Sequence, residues 1–369
     1  MNGNVVIKNA SELVTCSGFK ARRGAGMRDL KIIKDGAVII EDGVIKTVGM
    51  TKDISGNYDE SAFDLIDAAG KAVLPGFVDS HTHFVFGGYR PEEFSWRLRG
   101  DSYMEIMARG GGILSTVEAT REASKEDLIA AGIKRLDSML SFGVTTVEGK
   151  SGYGLDSLTE IKQLEVMEEL DQIHNIDIVR TYLGAHAVPV EYKGRTDEYI
   201  DYMIESVIPR VAQRGLAEFC DVFCEKNVFS LEQSRRLLIK AKELGLKIKI
   251  HADEIVPLGG AELAAELGAV SADHLLQSSD KGIFEMADTG VIATLLPGTA
   301  FCLKEPCARA RFMIESNCSV ALATDLNPGS CFTESIPLII ALATLNLGLT
   351  IEEALIGLTI NGAAALDRA

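Results

Sequence analysis

The sequence is short of positive charge. It contains 37 lysines and arginines against 53 aspartates and glutamates, which gives a net charge of −16 at pH 7. Nucleic acids and anionic membranes attract basic surfaces, so this balance argues against both as partners. It still allows a small anionic ligand that is held by one local arginine.

Long apolar runs are missing as well. The most apolar window, residues 336–349, is interrupted by Thr344 and Asn346 and is shorter than a membrane span requires. We therefore expect a buried helix there. The first residues lack the basic start and the apolar stretch of a signal peptide, so no secretion signal is expected.

Cysteine is sparse and irregularly spaced. The seven cysteines are odd in number, and no two of them form a CxxC pair. A chain of 369 residues, 47% of them hydrophobic, can build its own core, so we expect buried thiols in a cytoplasmic protein rather than a disulfide framework. Cys220 and Cys224 stand in an apolar, strand-like run, which favours packing over metal binding.

Two kinds of pattern follow one another along the chain. Residues 1–71 combine short β-branched runs with the turn signals "KDG" and "EDG", which predicts a small N-terminal β-sandwich domain. From residue 72, eight short apolar runs alternate with amphipathic segments of helical period, for which Ser157 and Ser230 are candidate N-caps. This alternation predicts a (β/α)₈ TIM-like barrel over residues 72–369.

Histidine is scarce, yet five of the six histidines follow the apolar runs. His174 is the exception, since it ends a polar helical segment and is expected to be solvated. The active site of a (β/α)₈ barrel lies at the C-terminal ends of its strands, and buried strands have little other use for ionisable groups. One shared site is therefore expected to contain these strand-end residues: His81, His83, Lys150, Tyr153, His186, Glu225, His251, Glu254, His274 and Asp325.

A metal ion is the first candidate ligand of that site. On a strand, residues two apart point to the same side, so "HTH" presents His81 and His83 to one point. With His251 and Asp325 they form a nitrogen and oxygen ligand set suited to Zn²⁺ or Fe²⁺, which would activate a water molecule. For the first pair alone, the alternative is two surface histidines near a loop.

Glu254 and His274 are candidates for moving protons and stabilising charge. Glu254 follows His251 by three residues and is expected to overhang the metal as a base for water. The alternative is a carboxylate at a helix N-terminus. His274 is a candidate hydrogen-bond donor to a polarised carbonyl or a developing oxyanion, and its alternative is a buried histidine with a structural partner.

Arg90, in "GGYRPEEF", is a candidate clamp for a substrate carboxylate. The alternative is a surface salt bridge with Glu92 or Glu93, which the sequence alone favours. The turns "KSGYG" and "NPGS" contain glycines that let the backbone approach a ligand. Three polar side chains of these turns are candidates for ligand contacts, namely Tyr153, Asn327 and Ser330.

The motifs taken together resemble a known family. "PGFVDSHTH", "HADE", "DHL" and "ATDLNPGS" are similar to motifs of the metal-dependent amidohydrolase superfamily. More narrowly, "HTHFVFGGYRPEEF", "EGKSGYGLD", "TYLGAHAVP" and "TLLPGTAF" resemble the imidazolonepropionase family. The resemblance runs from about residue 72 to the C-terminus and is weaker before it. The ordered combination of motifs is far more specific than "HTH" alone.

The resemblance implies a reaction and a set of contacts. The reaction is hydrolysis of a cyclic amide C–N bond, which converts 4-imidazolone-5-propanoate to N-formimidoyl-L-glutamate in histidine degradation. The resemblance also implies a homodimer. It implies one Zn²⁺ or iron ion (Fe²⁺ or Fe³⁺) per chain, bound by His81, His83, His251 and Asp325. It implies substrate contacts from Arg90, Tyr153, His186, Glu254, Asn327, Gly329 and Ser330.

The resemblance further implies how such a site would work. Water activated by the metal attacks the ring carbonyl, Glu254 helps to remove the water's proton, and His274 stabilises the oxyanion. Asp325 relays a proton to the leaving nitrogen. Binuclear relatives use a bridging lysine, but the similarity here is to a subgroup with one metal, so neither Lys150 nor Lys226 is assigned that role.

Chains of this family normally continue beyond "NGAAALDRA" with a tail that returns to the small sheet domain. We therefore expect that domain to lack partner strands and to expose a strand edge and apolar side chains. Two other functions stay open: a different amidohydrolase, such as a deaminase or another cyclic amidase, and a non-catalytic barrel that has lost its metal. The second predicts broken ligand motifs, whereas all four candidate ligands are present.

Overall fold

Short β-strands open the chain, and a long series of alternating strands and helices follows them. The computed structural model describes residues 3–54, 56, 58–101, 105, 109 and 111–369. The chain divides into two units. The first comprises Met1–Phe19 and Arg28–Gly76, and the second comprises Lys20–Met27 and Phe77–Ala369.

The first unit is built on a five-stranded sheet. Its strands are β1 (Val5–Val14), β2 (Ile32–Glu41), β3 (Val44–Met50), β4 (Asp64–Asp67) and β5 (Ala72–Val73). Their order is β3-β2-β1-β4, and β5 pairs with the other end of β1. Helix α1 (Thr51–Ile54) and a 3₁₀ turn (Glu60–Ala62) lie between β3 and β4.

The two turn signals of this unit have different outcomes. "EDG" is the hairpin turn between β2 and β3, where Asp42 and Gly43 both have positive φ angles, of 50° and 76°. "KDG" lies within β2, where Asp35 has a φ of 48° and the register between β1 and β2 shifts close by. The strand therefore continues through this predicted turn, and the register shift falls on β1, between Ile7 and Ala10.

Strand β2 buries side chains on both faces of the sheet. Ala37 and Ile39 pack with Val6 on one face, whereas Val38 packs with Leu13 on the other. Alternate residues of a strand point to opposite faces, so this one strand contributes to two apolar clusters. The two outer strands also carry exposed apolar side chains, namely Val44, Ile45, Val48, Leu65 and Ile66.

The second unit is a barrel of eight parallel strands. They are β6 (Phe77–Asp79), β7 (Val144–Lys150), β8 (Asp177–Ala185), β9 (Phe219–Cys224), β10 (Lys247–Ala252), β11 (Ser271–His274), β12 (Ile292–Leu295) and β13 (Ser319–Leu322). They pair in sequence order from β6 to β13. Each of the eight predicted apolar runs contains one of these strands. The prediction of a TIM-like barrel preceded by a small β-rich unit is confirmed.

The ring closes between β6 and β13. The carboxylate of Asp79 accepts hydrogen bonds from the main-chain N–H and the hydroxyl of Thr324, at 2.9 Å and 2.6 Å. Asp79 and Thr324 are both fully buried. These bonds fix the segments that follow the first and last strands beside each other at the C-terminal edge of the barrel.

Most helices of the second unit lie between its strands in sequence, and the last three follow β13. The described helices are α2 (Pro91–Arg99), α3 (Ile113–Glu122), α4 (Lys125–Ser141), α5 (Ser157–Ile173), α6 (Thr196–Tyr202), α7 (Ile208–Gln213), α8 (Leu231–Glu243), α9 (Gly260–Leu267), α10 (Asp280–Thr289), α11 (Pro297–Leu303), α12 (Ala310–Glu315), α13 (Ile336–Leu345), α14 (Ile351–Gly357) and α15 (Ile360–Ala365). A π-helical turn (Met203–Val207) joins α6 to α7, and 3₁₀ turns occupy Gly24–Arg28 and Val190–Tyr192.

One predicted helix cap and one predicted buried helix differ from what the sequence indicated. Ser230 caps α8 as predicted, in a capping box with Gln233, but α5 is capped by Asp156 rather than by Ser157. The apolar window at residues 336–349 forms α13, which is buried on one face only, since Leu345 is 83% exposed. Within the described ranges, no helix combines the length and the apolar character needed to cross a membrane.

Candidate metal centre

Two predicted ligands follow the first barrel strand rather than lie on it. Strand β6 ends at Asp79, and His81 and His83 stand in the segment beyond. The main-chain N–H of Asp325 donates to the carbonyl of His81 at 3.0 Å, and that of His83 donates to the carbonyl of Leu326 at 2.8 Å. The two imidazole rings still lie close together, with centroids 5.4 Å apart.

The four predicted ligands come together at the C-terminal edge of the barrel. Nε2 of His81 lies 3.6 Å from Oδ1 of Asp325, and Nε2 of His83 lies 3.7 Å from the same oxygen. His251, near the end of β10, brings its ring centroid to 4.6 Å from that of His81. One nitrogen from each of the three histidines lies within 4.8 Å of the others.

These atoms fit a metal ion. Nε2 of His81 and Nε2 of His251 are buried and have no hydrogen-bond partner among the described residues. Buried polar atoms without a partner are uncommon in native proteins, and a cation bound by the two lone pairs would satisfy both nitrogens. Three imidazoles and one carboxylate also match the donor preferences of Zn²⁺ and Fe²⁺.

The three histidines are available to a metal in their neutral form. Burial is the main reason why the pKa values of His81, His83 and His251 lie well below their ordinary value, and neighbouring cationic groups lower them further. A neutral imidazole has a lone pair for a metal, whereas an imidazolium has none. A hydrogen bond of 2.6 Å between Nδ1 of His81 and Oδ2 of Asp273 places the ring proton on Nδ1 and leaves Nε2 free.

Asp325 is held by a hydroxyl that the sequence did not point to. Thr299 donates to Oδ2 of Asp325 at 2.6 Å, and Oδ1 faces the histidines. Asp325 has a φ of 54°, a left-handed conformation that is uncommon outside glycine and that bends the chain after β13. Burial raises the pKa of Asp325 to about 7, and a bound cation would favour its ionised form.

Two buried aspartates that the sequence reasoning missed stand behind the histidines. Asp273 contacts His81, and Oδ2 of Asp221 lies 2.9 Å from Nδ1 of His251, although that pair is not aligned as a hydrogen bond. Both aspartates lie on strands and are fully buried. The available signal was a charged residue inside an apolar run, in "FCDVFC" and "SADHLL", because such a residue needs a buried partner.

A cavity of about 400 Å³, which includes space open to solvent, lies beside these ligands. The predicted contact and proton-transfer residues that line it are Arg90, Tyr153, His186, Glu254, His274, Asn327 and Ser330. Ile113 and Phe223 line it too, and sequence reasoning missed them because an apolar side chain carries no chemical signal. Gly329 is not among the lining residues and instead packs against the guanidinium of Arg90.

The turn after β10 directs Glu254 into the cavity. Asp253 has a φ of 50°, and its carboxylate accepts three main-chain hydrogen bonds from residues 259–261 at the start of α9. Asp253 therefore has the helix-capping role that was the alternative for Glu254. Burial, with repulsion from Asp325 and Glu225, raises the pKa of Glu254 to about 8.

His274 ends β11 beside Glu254. Its Nδ1 lies 3.5 Å from Oε1 of Glu254 and has no hydrogen-bond partner among the residues that the structure describes. The residue has a φ of 74°, another left-handed conformation at a strand end. Burial lowers the pKa of His274 to about 4, so its ring is neutral and has an N–H to donate.

Arg90 forms a salt bridge and lines the cavity at the same time. Its Nη1 donates to Oε2 of Glu93 at 3.2 Å, the pairing that the sequence alone favoured. Glu93 also accepts a hydrogen bond of 2.6 Å from the main-chain N–H of Gly112, which anchors the acidic partner. Nε of Arg90 is buried and without a partner in the described part of the chain, so it is available to a ligand.

A buried carboxylate shapes the loop that carries Tyr153. Glu160, on α5, accepts hydrogen bonds of 2.8–3.2 Å from three main-chain N–H groups of the loop that follows β7. The carbonyl of Gly152 in that loop lies 3.1 Å from Nδ1 of His186, whose ring stacks on that of His83 at 4.9 Å. Glu160 therefore supports two walls of the cavity.

Replacing Glu160 with glutamine should lower the free energy of unfolding by about 2–3 kcal/mol, because an amide NH₂ would face main-chain donors that now reach a carboxylate oxygen. Urea denaturation followed by circular dichroism measures the loss. Glu165→Gln on the same helix is the matched control, since its partly exposed ion pair with Arg214 should contribute less than about 1 kcal/mol. Equal losses in the two variants would contradict the role given to Glu160.

Known proteins are similar to this chain in sequence along its whole length. The model of the Amidohydrolase family matches residues 64–113. Imidazolonepropionase from Clostridium tetani is 64% identical over 367 residues, which cover 100% of this chain and 88% of that protein. The chain belongs to the imidazolonepropionase family. Imidazolonepropionase from Parabacteroides distasonis is 61% identical over 368 residues, with coverage of 100% and 88%.

Solved structures with other names share the fold. A triazine hydrolase variant matches with a TM-score of 0.73 and 15% identity, over 99% of this chain and 83% of that one. The 5-methylcytosine deaminase from Klebsiella pneumoniae matches with a TM-score of 0.71 and 17% identity, over 98% and 87%. At these identities the likeness is to the fold alone, so membership of the imidazolonepropionase family rests on the sequence matches.

Proposed function

We propose that the chain hydrolyses the ring amide of 4-imidazolone-5-propanoate and releases N-formimidoyl-L-glutamate in histidine degradation. It is a hydrolase of cyclic amide C–N bonds, and a relative 64% identical to it is named imidazolonepropionase. The observation that carries the proposal is the cluster of three neutral histidines, two of them beside Asp325, at a cavity that also contains Arg90. An arginine there suits an anionic substrate.

The metal is assigned to His81, His83, His251 and Asp325, as one Zn²⁺ or iron ion per chain. When bound, such an ion supplies Lewis acidity, which activates water and polarises a carbonyl oxygen. The unpartnered Nε2 atoms support this ligand set. His274 is the competing ligand, because it also forms a compact group with His81 and Asp325. A His274→Ala variant that keeps its metal but loses rate would support the first set.

Two side chains transfer protons in the reaction, and a third stabilises the negative charge that develops. Glu254 takes the proton of the attacking water, and its pKa of about 8 lies near neutral pH, where acid–base groups are most effective. His274 donates a hydrogen bond to the ring carbonyl oxygen while negative charge develops there. Asp325, ionised beside the metal, takes the second proton of that water and passes it to the ring nitrogen as the C–N bond breaks. The oxygen of water thus ends on the acyl carbon and one of its protons on the nitrogen.

Arg90 binds the propanoate tail, through a guanidinium whose position depends on Gly329. A Cβ atom on Gly329 would lie 1.9 Å from Nη2 of Arg90, closer than any side chain tolerates. The amide oxygen of Asn327 accepts hydrogen bonds from the main-chain N–H groups of Gly329 and Ser330, at 2.9 Å and 2.7 Å, and so fixes this turn. The position of Arg90 therefore depends on the conformation of this turn.

Replacing Gly329 with alanine should raise KM for the imidazolone by about tenfold to a hundredfold, because the displaced Arg90 loses charge-assisted hydrogen bonds worth about 1.5–3 kcal/mol. Steady-state kinetics should show a much smaller change in kcat. Gly26→Ala is the control, since no atom lies within 4 Å of the added Cβ there. An unchanged KM in Gly329→Ala would argue against Arg90 as the clamp.

The deciding assay is the loss of imidazolone ultraviolet absorbance in the presence of metal-loaded protein. Turnover above the buffer rate supports the proposal, and absence of turnover refutes it. Turnover of a different cyclic amide or of a deaminase substrate instead would point to another amidohydrolase. Fewer than about one tightly bound Zn or Fe ion per purified chain would favour the non-catalytic barrel.

We also propose that the protein is a homodimer in the reducing cytoplasm. The family resemblance supports the dimer, and the thiol form of all seven cysteines supports a reducing compartment. Light scattering on the purified protein tests the assembly. A mass close to that of one 39.8 kDa chain would refute the dimer.

A further inference from the structure

A cluster of buried charges lies on the strands beneath the candidate metal centre. We define the charge cluster as Glu148, Lys150, Asp221, Lys249 and Asp273, all of which are fully buried. Burying a charge is expensive unless opposite charges and hydrogen bonds compensate for it closely. The proposed reaction gives no task to either lysine, so their presence in the barrel needs another explanation.

The two lysines lie at different distances from the three carboxylates. Nζ of Lys150 lies 2.7 Å from Asp221, 3.1 Å from Glu148 and 3.4 Å from Asp273. Nζ of Lys249 lies 2.7 Å from Glu148 and 3.1 Å from the carbonyl of Ser80, but 4.0 Å from Asp273. Lys150 is therefore the cation that hydrogen-bonds both aspartates, whereas Lys249 hydrogen-bonds Glu148 and lies near Asp273 without a hydrogen bond to it.

Those two aspartates are the ones that stand behind the metal ligands. Asp273 accepts hydrogen bonds of 2.6 Å from Nδ1 of His81 on one oxygen and from the hydroxyl of Ser271 on the other. Asp221 lies 2.9 Å from Nδ1 of His251 and accepts a main-chain hydrogen bond from the same residue at 3.2 Å. A shift of either aspartate would rotate a ligand ring.

We propose that Lys150 is a positioning residue of the metal centre, a built-in cation that holds Asp221 and Asp273 against His251 and His81. Three buried carboxylates lie close together here, and without Lys150 their mutual repulsion would push the aspartates away from the histidines. Residues that orient metal ligands in this way typically change metal affinity by about 10–100-fold when they are replaced. The inference rests on the proposed metal site and adds a residue that acts on the metal only through other side chains.

The test compares Lys150→Met with Lys249→Met. Both variants remove one fully buried ammonium from the same cluster, so a purely structural role predicts similar losses of stability and no difference in metal affinity. The Zn²⁺ dissociation constant of each protein, and of the unaltered protein, is measured by competition with a chromophoric chelator. Lys150→Met should weaken Zn²⁺ binding by at least about tenfold, and Lys249→Met by less than about threefold.

The outcomes separate this inference from the proposed function. If the unaltered protein binds no Zn²⁺, the proposed metal centre is overturned and Lys150 has nothing to position. If the unaltered protein binds Zn²⁺ and Lys150→Met binds it equally well, or Lys249→Met loses as much affinity, the positioning role is overturned and the proposed function stands.

A second pair of variants covers the case in which Lys150→Met does not fold. Glu148→Gln combined with Lys150→Met removes one charge of each sign and leaves the net charge of the cluster unchanged. That double variant should bind Zn²⁺ at least about tenfold more weakly than Glu148→Gln alone. Equal affinities would overturn the role of Lys150.

Discussion

The His81→Ala variant is expected to lose its metal and to fall by at least about a thousandfold in kcat/KM. All three groups of possible metal ligands that the described residues contain include His81. The Lewis acidity of a bound ion is worth several kcal/mol, and each 1.36 kcal/mol is a factor of ten in rate. Elemental analysis of the purified variant and the imidazolone absorbance assay measure the two losses.

His174→Ala is the matched control for that experiment. His174 is the one histidine outside the site. Its Nε2 lies 3.3 Å from Oδ1 of Asp137. Its removal should leave metal content and rate unchanged. Circular dichroism must show that His81→Ala is folded, and a folded His81→Ala that keeps both metal and activity would remove His81 from the ligand set.

The Glu254→Gln variant is expected to keep its metal and to lose about a hundredfold to ten-thousandfold in kcat, the usual contribution of a general base. The amide has the shape of the carboxylate but cannot take a proton from water. A base has to be deprotonated to act, so activity of the unaltered protein should fall as pH drops through the pKa of Glu254. That acid limb of the pH–rate profile should be absent in Glu254→Gln.

Glu305→Gln separates the loss of a base from the loss of a nearby charge. Glu305 is exposed, and its carboxylate adds to the repulsion that raises the pKa of Glu254. The variant should keep the rate within about twofold, because a screened surface charge has a small effect on a neighbour. A Glu254→Gln variant with full activity, or one that also loses its metal, would contradict the assigned role.

The eight-stranded barrel could be predicted because its signals are local. Each strand is a short apolar run bounded by turn residues, and each helix has its own period, so a window of ten to twenty residues contains the information. The same holds for the strand-end position of the five histidines. Two local signals were wrong: "KDG" lies within β2, because β1 pairs with β2 on both sides of it, and Asp156 rather than Ser157 caps α5.

The residues behind the site could not be predicted, because their contacts join positions far apart in the sequence. Asp273 bonds His81 across 192 positions of the sequence, and Thr299 reaches Asp325 from the helix that follows β12. Nothing near Asp273 in the sequence says which side chain it meets. Such contacts exist only once the strands have closed into a ring and placed their ends together.

By itself, the sequence determined the architecture of this protein and its family, and it predicted the candidate site residues, because periodicity, turn residues and ordered motifs are properties of neighbouring positions. Only the tertiary structure decided that Asp253 caps a helix and leaves Glu254 to the cavity. It alone decided that Glu93 rather than Glu92 partners Arg90, and that Lys150 stands between two aspartates. Burial and hydrogen-bond partners depend on residues far apart in the chain, and barrel closure brings those residues into contact.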